Sequence, residues 1–457
     1  MTDVAPEIAP TNRYLLGEYA PVAEEHTAFD LPVTGTLPPE LDGRYLRNGP
    51  NPMGPTDPAT YHWFTGDGMV HGIRLRDGRA EWYRNRWVRS TAVSQALGED
   101  PVPGERFAGM EAANTNVIGH AGRTLAIVEA GGRPAELTDE LDTVCFSDLD
   151  GTLPHGYTAH PKRDPRTGEL HAVSYYWARP EVLEYTVVGT DGRVRHRADV
   201  PVPGAPMVHD CSITDRFVAL YDLPVTFDLD DAMAGTRFPY RWDDGYGARI
   251  GLLPKAGQAD EVQWFEVEPC YVFHPLNAHD DGDDVVLDVV RHPRMFDRNR
   301  LGPDEGPPTL WRWTIDRAAG KVREEQLDDR AIEFPRVDER LVGRPHRYGW
   351  ATGLTVSDDA VDFEANAMVR YDGATGATEV VEWGPGRTGG EVVFVPRGAD
   401  SAEDDGWYLS LVHDRSTDRS ELVVLDAAAP AEGPIARVHL PARVPLGFHG
   451  NWVPTGQ

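Results

Sequence analysis

Asp-Gly dipeptides recur along the whole chain and constrain its fold more than any other sequence feature. They begin at positions 42, 67, 77, 150, 191, 244, 281, 372 and 405. An Asp-Gly pair between alternating apolar runs indicates a hairpin, because a type I′ turn needs positive φ at both central residues. These signals together predict a meander of antiparallel strands.

Short runs rich in Val, Tyr, Trp and Thr lie between the turn signals, and long stripes with a helical period are absent. Examples are residues 79–89, 124–129, 169–177, 217–221, 285–290 and 407–413. An all-β chain of 457 residues without a linker predicts a β-propeller, although no clean repeat period is visible. A pair of β-sandwiches is the alternative. We expect a flexible N-terminus over 1–13, a single domain over 14–457, and loop or lid insertions at 222–255 and 291–309.

The composition excludes several classes of protein. The formal net charge of −30 argues against binding to nucleic acid and against electrostatic attachment to anionic lipid. Three cysteines without a Cys-x-x-Cys pair indicate a reducing compartment. The N-terminus has neither the basic nor the apolar region of a signal peptide, and no apolar run is long enough to span a membrane. The sequence therefore predicts a cytoplasmic protein.

Four histidines stand in short distinctive phrases, each within or after an apolar run and each followed by Pro, Gly or Asp. They are His160 in Thr-Ala-His-Pro-Lys, His209 in Met-Val-His-Asp-Cys, His274 in Val-Phe-His-Pro-Leu and His449 in Gly-Phe-His-Gly-Asn. Their spacing fits neither a zinc finger nor a helical His-Glu-x-x-His site. Strand ends in a ring of sheets could bring all four to one axis, where imidazoles would bind a first-row metal. Spacing alone does not exclude His279 and His413 from such a site.

Three glutamates lie in apolar segments, where a charge is costly unless it is paired. They are Glu129, Glu333 and Glu391. One interpretation is a solvent-facing residue or a salt bridge with one of the many arginines. The other is a carboxylate that accepts the second N–H of a metal-bound imidazole and so fixes the orientation of its ring.

Six phrases carry a resemblance to a known family, in order from about residue 14 to the C-terminus. They are Arg47-Asn-Gly-Pro-Asn-Pro, Trp63-Phe-Thr-Gly-Asp-Gly-Met-Val-His-Gly, Asn85-Arg-Trp-Val-Arg, Asn114-Thr-Asn, Glu403-Asp-Asp-Gly-Trp and Gly447-Phe-His-Gly-Asn-Trp. With them the chain resembles the carotenoid cleavage oxygenases. The resemblance implies a seven-bladed β-propeller with a non-haem Fe(II) on its axis. It also implies the iron ligands His160, His209, His274 and His449, the outer carboxylates Glu129, Glu333 and Glu391, and a near-iron threonine at Thr115.

Four neutral imidazoles suit oxidative cleavage of an alkene. They leave the charge of Fe(II) undiminished and leave two octahedral positions free, one for O₂, while Thr115 restricts access to the other. Cleavage of a C=C bond into two carbonyls consumes both oxygen atoms and needs no organic cofactor. The candidates for an aromatic lining that positions the alkene and shields a reactive intermediate are Phe64, Phe273 and Phe334, with ordinary core packing as the alternative.

The residue before the first outer carboxylate bears on the substrate. Lignostilbene-type members of the family have a lysine there, with a nearby tyrosine, to activate a phenol. Here the residue is Val128, and the first lysine of the chain is Lys162. We therefore expect a carotenoid or apocarotenoid substrate, aldehyde products, and transient membrane contact through an apolar tunnel mouth built from 222–255. The alternatives are stilbenoid or phenylpropenoid cleavage, and a propeller that binds ligands without catalysis.

Overall fold

The computed structural model describes residues 11–357 and 360–456, and nearly all of their regular structure is β. The helices are α1 (Thr91–Leu97) and α2 (Leu229–Met233). Single 3₁₀ turns lie at Arg13–Leu15, Gly17–Tyr19, Trp63–Thr65, Phe107–Gly109, Ala259–Glu261, Glu339–Leu341 and Pro430–Glu432. Within these described ranges no helix has the length and apolarity needed to cross a membrane.

The strands of the first half of the chain are, in order, β1 (Thr27–Phe29), β2 (Val33–Gly35), β3 (Gly43–Pro50), β4 (Gly68–Arg76), β5 (Arg79–Trp87), β6 (Asn116–His120), β7 (Arg123–Ile127), β8 (Ala135–Leu137), β9 (Thr143–Phe146), β10 (Lys162–Arg163), β11 (Leu170–Tyr175), β12 (Val182–Val188), β13 (Val194–Pro201), β14 (Cys211–Ile213), β15 (Phe217–Asp222), β16 (Val225–Phe227) and β17 (Tyr240–Trp242). Those of the second half are β18 (Arg249–Pro254), β19 (Gln263–Glu266), β20 (Pro275–Asp281), β21 (Asp284–Arg291), β22 (Thr309–Asp316), β23 (Lys321–Gln326), β24 (Ile332–Val337), β25 (Tyr348–Ser357), β26 (Ala360–Asp372), β27 (Ala377–Glu382), β28 (Arg387–Gly389), β29 (Val393–Pro396), β30 (Gly406–Asp414), β31 (Arg419–Asp426), β32 (Pro434–His439) and β33 (Gly450–Pro454). The six strand-like runs found in the sequence all fall on strands of the structure.

The sheets are antiparallel meanders of neighbouring strands. Four of them have the orders β6-β7-β8-β9, β10-β11-β12-β13, β14-β15-β18-β19 and β20-β21-β22-β23. The meander β24–β27 is joined to the sheet of β28–β32 by a single backbone pair, Ala365 with Gly389. Two pairings join the ends of the chain: β33 pairs with β3 in the sheet β1-β5-β4-β3-β33, and β2 pairs with β32.

Apolar clusters lie between successive sheets, as expected for sheets that pack face to face. The largest cluster joins side chains of β11–β13 with side chains of β14–β19 and β20–β22. Smaller clusters join β7 to β11 and β12, β21 and β22 to β24–β26, and β25–β27 to β29–β31. Two more join the sheet of β3 and β4 to its neighbours on both sides, β6–β8 and β30–β32. The core is therefore a series of layers between sheets.

The predicted insertion at 222–255 is too long at its C-terminal end. Residues Arg249–Pro254 form β18, which pairs with β15 and β19 and buries Ile250, Leu252 and Leu253. The excursion from the sheet consists of β16, α2 and β17. The segment predicted as a loop at 291–309 connects β21 to β22, and its one bridge pairs His292 with Tyr271. The segment predicted to be flexible, 1–13, lies mostly outside the described residues.

Candidate metal centre

The four histidines of the sequence phrases lie together, although the chain separates them widely. Each is placed by the edge strand of a different sheet: His160 just before β10, His209 before β14, His274 before β20 and His449 before β33. All four are buried, and one ligand atom from each lies within 4.8 Å of the others. The Nε2 atoms of His209 and His274 are 3.1 Å apart.

Three of the imidazoles are oriented by the glutamates that the sequence singled out. His209 Nδ1 lies 2.9 Å from Glu129 Oε2, His274 Nδ1 2.5 Å from Glu333 Oε2, and His449 Nδ1 3.0 Å from Glu391 Oε1. A carboxylate accepts, so each Nδ1 carries a proton, and in the neutral ring Nε2 presents a lone pair. These contacts fix both the tautomer and the ring direction of three histidines.

Each glutamate also has a further partner that the sequence did not reveal. The Tyr175 hydroxyl donates to Glu129 at 3.1 Å, and His292 Nε2 lies 3.0 Å from Glu333 Oε1. Arg336 Nη1 is 3.1 Å from Glu391 Oε1. These side chains come from β11, the β21–β22 connection and β24, and no local pattern distinguishes them from core or surface residues. Their contacts arise only from the packing of sheets.

His160 differs from the other three histidines. Its Nδ1 lies 3.7 Å from Asp210 Oδ2, beyond hydrogen-bond distance, and Asp210 is itself paired with Lys162 at 2.8 Å. Its Nε2 is buried without a hydrogen-bond partner among the described residues. A buried polar atom without a partner is costly unless a ligand satisfies it.

Electrostatics favour the neutral form of His160 and His449, the protonated form of His209, and the charged form of Glu333 and Glu391. Burial lowers the pKa of His160 well below 6.5 and that of His449 to about 4. Burial also acts to lower the pKa of His209, but negative Glu129 outweighs it and raises the pKa above 6.5. For Glu333 and Glu391, burial is outweighed by His274 and by Arg336 respectively, and the pKa of each carboxyl lies below 4.5.

The donor set fits a metal ion. Adjacent nitrogens on an octahedral ion with bonds of about 2.1 Å lie about 3.0 Å apart. The 3.1 Å between the two Nε2 atoms of His209 and His274 matches that spacing. The unpartnered Nε2 of His160 would gain a ligand, and three carboxylates would offset the charge of the ion. The four-histidine group could therefore hold a metal.

An apolar cavity of about 480 Å³ reaches this group from one side. Phe64, Phe273 and Phe334 all line it, as do Thr115 and Val128. The Phe273 ring stands at 90° to His209 with centroids 5.0 Å apart, and Phe334 stacks on His274 at 5.4 Å. Thr115 donates its hydroxyl to Asn114, and its carbonyl accepts from the His449 N–H.

The two histidines that spacing could not exclude lie elsewhere. His279 is in β20, away from the end that carries His274. His413 is in β30, where its Nε2 lies 3.2 Å from Asp418. Neither lines the apolar cavity or joins the four-histidine group.

Comparisons with known proteins agree with this site. Residues 19–454 match the family model described as retinal pigment epithelial membrane protein. The chain is 50% identical to a carotenoid cleavage oxygenase of Mycobacterium tuberculosis, over 97% of this chain and 98% of the relative. Its structure is similar to that of Pseudomonas brassicacearum lignostilbene dioxygenase, with TM-score 0.87, 30% identity, and coverage of 98% of this chain and 100% of the other. It is equally similar to cobalt-substituted apocarotenoid oxygenase of Synechocystis, with TM-score 0.87, 28% identity and the same coverage.

A buried group of four histidines that could hold a metal, carried by an all-β scaffold, fits a class of metal-dependent oxygenases. The matching family model represents this class. The chain belongs to the carotenoid cleavage oxygenase family. Members of this family are non-haem iron dioxygenases that cleave alkenes.

Proposed function

We propose that this protein is an Fe(II)-dependent dioxygenase that cleaves a conjugated C=C bond of carotenoids or apocarotenoids to aldehydes. The observation that carries the proposal is the apolar cavity that ends at His209, His274 and His449. The 50% identity to a carotenoid cleavage oxygenase over nearly the full length of both chains supports the substrate class. His160, His209, His274 and His449 would hold the iron. Bound Fe(II) would supply the activation of O₂, which delivers one oxygen atom to each carbon of the broken bond.

The chain's own residues perform the positioning. Glu129, Glu333 and Glu391 hold three imidazoles with Nε2 facing inward, so that the site is ordered before an ion binds. Phe64, Phe273 and Phe334 would contact the conjugated chain, place one double bond beside the metal and exclude water from the reacting carbons. Thr115, which also lines the cavity, would narrow the space next to the metal.

We also propose that the scaffold is a seven-bladed propeller formed by a single domain over 14–457. The four meanders of four strands, the sheet that contains β33, the meander β24–β27 and the sheet of β28–β32 would make seven blades. The arrangement is supported by the position of one cavity-lining residue at the inner edge of each proposed blade. These are Thr115 before β6, His160 before β10, His209 before β14, His274 before β20, Glu333 in β24, Glu391 before β29 and His449 before β33.

Transient contact with a membrane is part of the proposal, because carotenoids reside in lipid. Leu229 and Met233 of α2 are 63% and 81% exposed and line the cavity, as does Trp177. With a net charge of −30, contact with lipid would rest on such apolar side chains. We expect the double variant Leu229→Ser, Met233→Ser to lose co-sedimentation with phosphatidylcholine vesicles while keeping its metal content.

Cleavage of stilbenoid or phenylpropenoid alkenes is the second candidate. The similarity to a lignostilbene dioxygenase favours it. So does Tyr240, which lines the cavity with a buried hydroxyl that has no hydrogen-bond partner among the described residues. Such a hydroxyl could bind a polar substituent of the substrate. Val128, at the position of the phenol-activating lysine, weighs against this candidate.

An aerobic product assay on Fe(II)-reconstituted protein separates the candidates. One arm holds β-carotene and an apocarotenal in detergent, the other resveratrol and a 4-vinylphenol, with products read by chromatography and mass. Apocarotenoid aldehydes support the main proposal, and their masses identify the bond that is cleaved. Aromatic aldehydes alone would favour the second candidate. Stoichiometric iron without any product would favour a propeller that binds ligands without catalysis.

A further inference from the structure

A second cavity reaches the histidines from the other side. It has a volume of about 610 Å³, and we call it the polar cavity. His274 and His449 line both cavities, whereas His209 lines only the apolar one and His160 only the polar one. The lining of the polar cavity extends to exposed residues, among them Glu40, Glu339 and Ala399. It therefore connects the four-histidine group with solvent.

The two cavities differ in how they would receive a hydrated cation. Carboxylates line the polar cavity from its mouth, at Glu40 and Glu339, to its inner end, at Asp210 and Glu391. Three of its four cations are held in ion pairs, Arg336 with Glu391, Lys162 with Asp210 and Arg340 with Asp338. The fourth, Arg163, donates to the carbonyls of Gly119 and Gly168. The mouth of the apolar cavity presents Leu229, Met233 and exposed Arg237 instead. Aromatic walls do not replace the water of a divalent ion.

The inner end of the polar cavity also differs from the rest of the site. His160, the histidine that faces only this cavity, is the one whose Nδ1 has no carboxylate within hydrogen-bond distance. Its ring centroid lies 4.5 Å from that of His449 and 5.1 Å from that of His274, so an ion passes between these rings only if one of them moves. The other three rings are held by glutamates at 2.5–3.0 Å. His160 is therefore the least restrained of the four.

From these features we infer that Fe(II) reaches the four-histidine group through the polar cavity and past the His160 ring, while the apolar cavity is reserved for the alkene. This inference rests on the proposed function only in taking Fe(II) as the ion. It separates metal loading from substrate binding, which then occur at opposite faces of the same site.

The test places one extra charge at each mouth and measures Fe(II) uptake. Ala399→Lys adds a cation at an exposed position of the polar mouth, and Met233→Lys adds one at an exposed position of the apolar mouth. Full-length apo-protein is mixed anaerobically with Fe(II), desalted at intervals and assayed for bound iron. At about 10 mM ionic strength we expect Ala399→Lys to slow uptake by about 3- to 10-fold, because screening is weak there. Ala399→Glu should accelerate uptake, and Met233→Lys should stay within about twofold of the unmodified protein.

At about 300 mM ionic strength the differences should largely disappear, and all variants should reach the same final iron content. The inference is overturned if Ala399→Lys takes up Fe(II) at the rate of the unmodified protein in low salt. It is also overturned if Met233→Lys slows Fe(II) uptake more than Ala399→Lys does. Failure of the unmodified apo-protein to retain any Fe(II) at equilibrium contradicts the proposed function instead. The rate of Fe(II) uptake thus tests the entry route, and the final iron content tests the proposed function.

Discussion

His292 binds the oxygen of Glu333 that His274 leaves free. The Nε2 atom of His292 lies 3.0 Å from Glu333 Oε1, while His274 Nδ1 contacts Oε2 at 2.5 Å. His292 Nδ1 has no partner among the described residues, so the proton resides on Nε2, which donates. The carboxylate is therefore held at both oxygens, and His292 contributes to the position of a metal-facing imidazole without reaching the metal site itself.

Replacing His292 should loosen Glu333 and thereby the His274 ring. We expect His292→Leu to lower the affinity for Fe(II) by about 10-fold, because outer partners of metal-bound histidines have effects of this size. His292→Gln keeps a donor on a side chain of similar length and should restore most of the affinity. Competition with a calibrated chelator measures both variants. Equal affinities for the Leu and Gln variants would show that the hydrogen bond is unimportant.

Substitution of an outer carboxylate should lower the Fe(II) affinity more than substitution of a residue that contacts that carboxylate. Glu391→Gln removes the charge that faces both His449 and Arg336 and leaves Arg336 with Glu339 as its remaining carboxylate partner. We expect Fe(II) affinity to fall by about 10- to 100-fold with the fold retained. Circular dichroism together with metal analysis checks this expectation, and Glu379→Gln, which changes a partly exposed partner of Arg370 on β27, is the matched control. Normal iron content and turnover in Glu391→Gln would remove Glu391 from the site.

His160→Ala and His279→Ala form a matched pair of histidine deletions. The first removes a ligand atom of the four-histidine group, and the second removes a half-buried imidazole of β20 outside it. Loss of one of four ligands should abolish iron retention through gel filtration, whereas His279→Ala should bind one equivalent. Retention of iron by His160→Ala would reduce the ligand set to three.

The stability of the fold should fall as the pH drops below neutral. Burial lowers the pKa of His71 to about 3, and it does the same for His62 and His171. Between pH 6.5 and 3 the unfolded chain takes up protons at these residues and the folded chain does not. Each therefore costs about 1.4 kcal/mol of unfolding free energy per pH unit in that window. The carboxyl of Glu391, whose pKa is lowered, changes its contribution only below pH 4.5.

His71→Gln isolates one of these histidines. The variant keeps a polar group opposite the Tyr83 hydroxyl, which contacts His71 Nδ1 at 3.0 Å. Urea unfolding at pH 5.0, 5.5 and 6.0 should give a pH dependence shallower than that of the unmodified protein by about 1.4 kcal/mol per pH unit. Parallel pH profiles for the two proteins would mean that His71 is already protonated in the fold.

Val128→Lys tests what determines the substrate. Val128 lines the apolar cavity next to Glu129, at the position where the resemblance to lignostilbene-type enzymes implies a phenol-activating lysine. A cation there should stabilise a phenolate and disfavour a hydrocarbon, so kcat/KM for resveratrol relative to β-carotene should rise by about 10-fold or more. Val128→Met, of similar length and without charge, is the control. An unchanged ratio of kcat/KM values would place substrate selection elsewhere in the cavity.

The sequence predicted the histidines and glutamates of the site because each is marked locally. His274, for example, follows a buried run and precedes the proline that begins β20, so its phrase encodes a strand start. Asp210, Tyr175 and Arg336 were missed, because their roles arise from contacts between different sheets. The end of the insertion was misplaced because β18 is short and carries charge at its start.

The Asp-Gly signals were more reliable as a class than one by one. Asp77-Gly78 closes the β4–β5 hairpin with φ of 50° and 70°, as a type I′ turn requires. Asp67 and Gly68 have no positive φ, and they do not form such a turn. The β6–β7 hairpin uses Ala121 and Gly122, with φ of 52° and 74°. The sequence does not indicate this turn, because alanine rarely adopts this conformation. The density of signals predicted the fold class, whereas only some of the individual signals mark a turn of this type.

The pairing of β33 with β3 has a consequence for biosynthesis. The ribosome delivers the chain from its N-terminus, so the sheet of β3, β4 and β5 lacks its partner strand until β33, far along the chain, has emerged. His449 directly precedes that strand. A nascent or clipped polypeptide without β33 therefore lacks one of the four imidazoles, and the four-histidine group is complete only after this strand has been made.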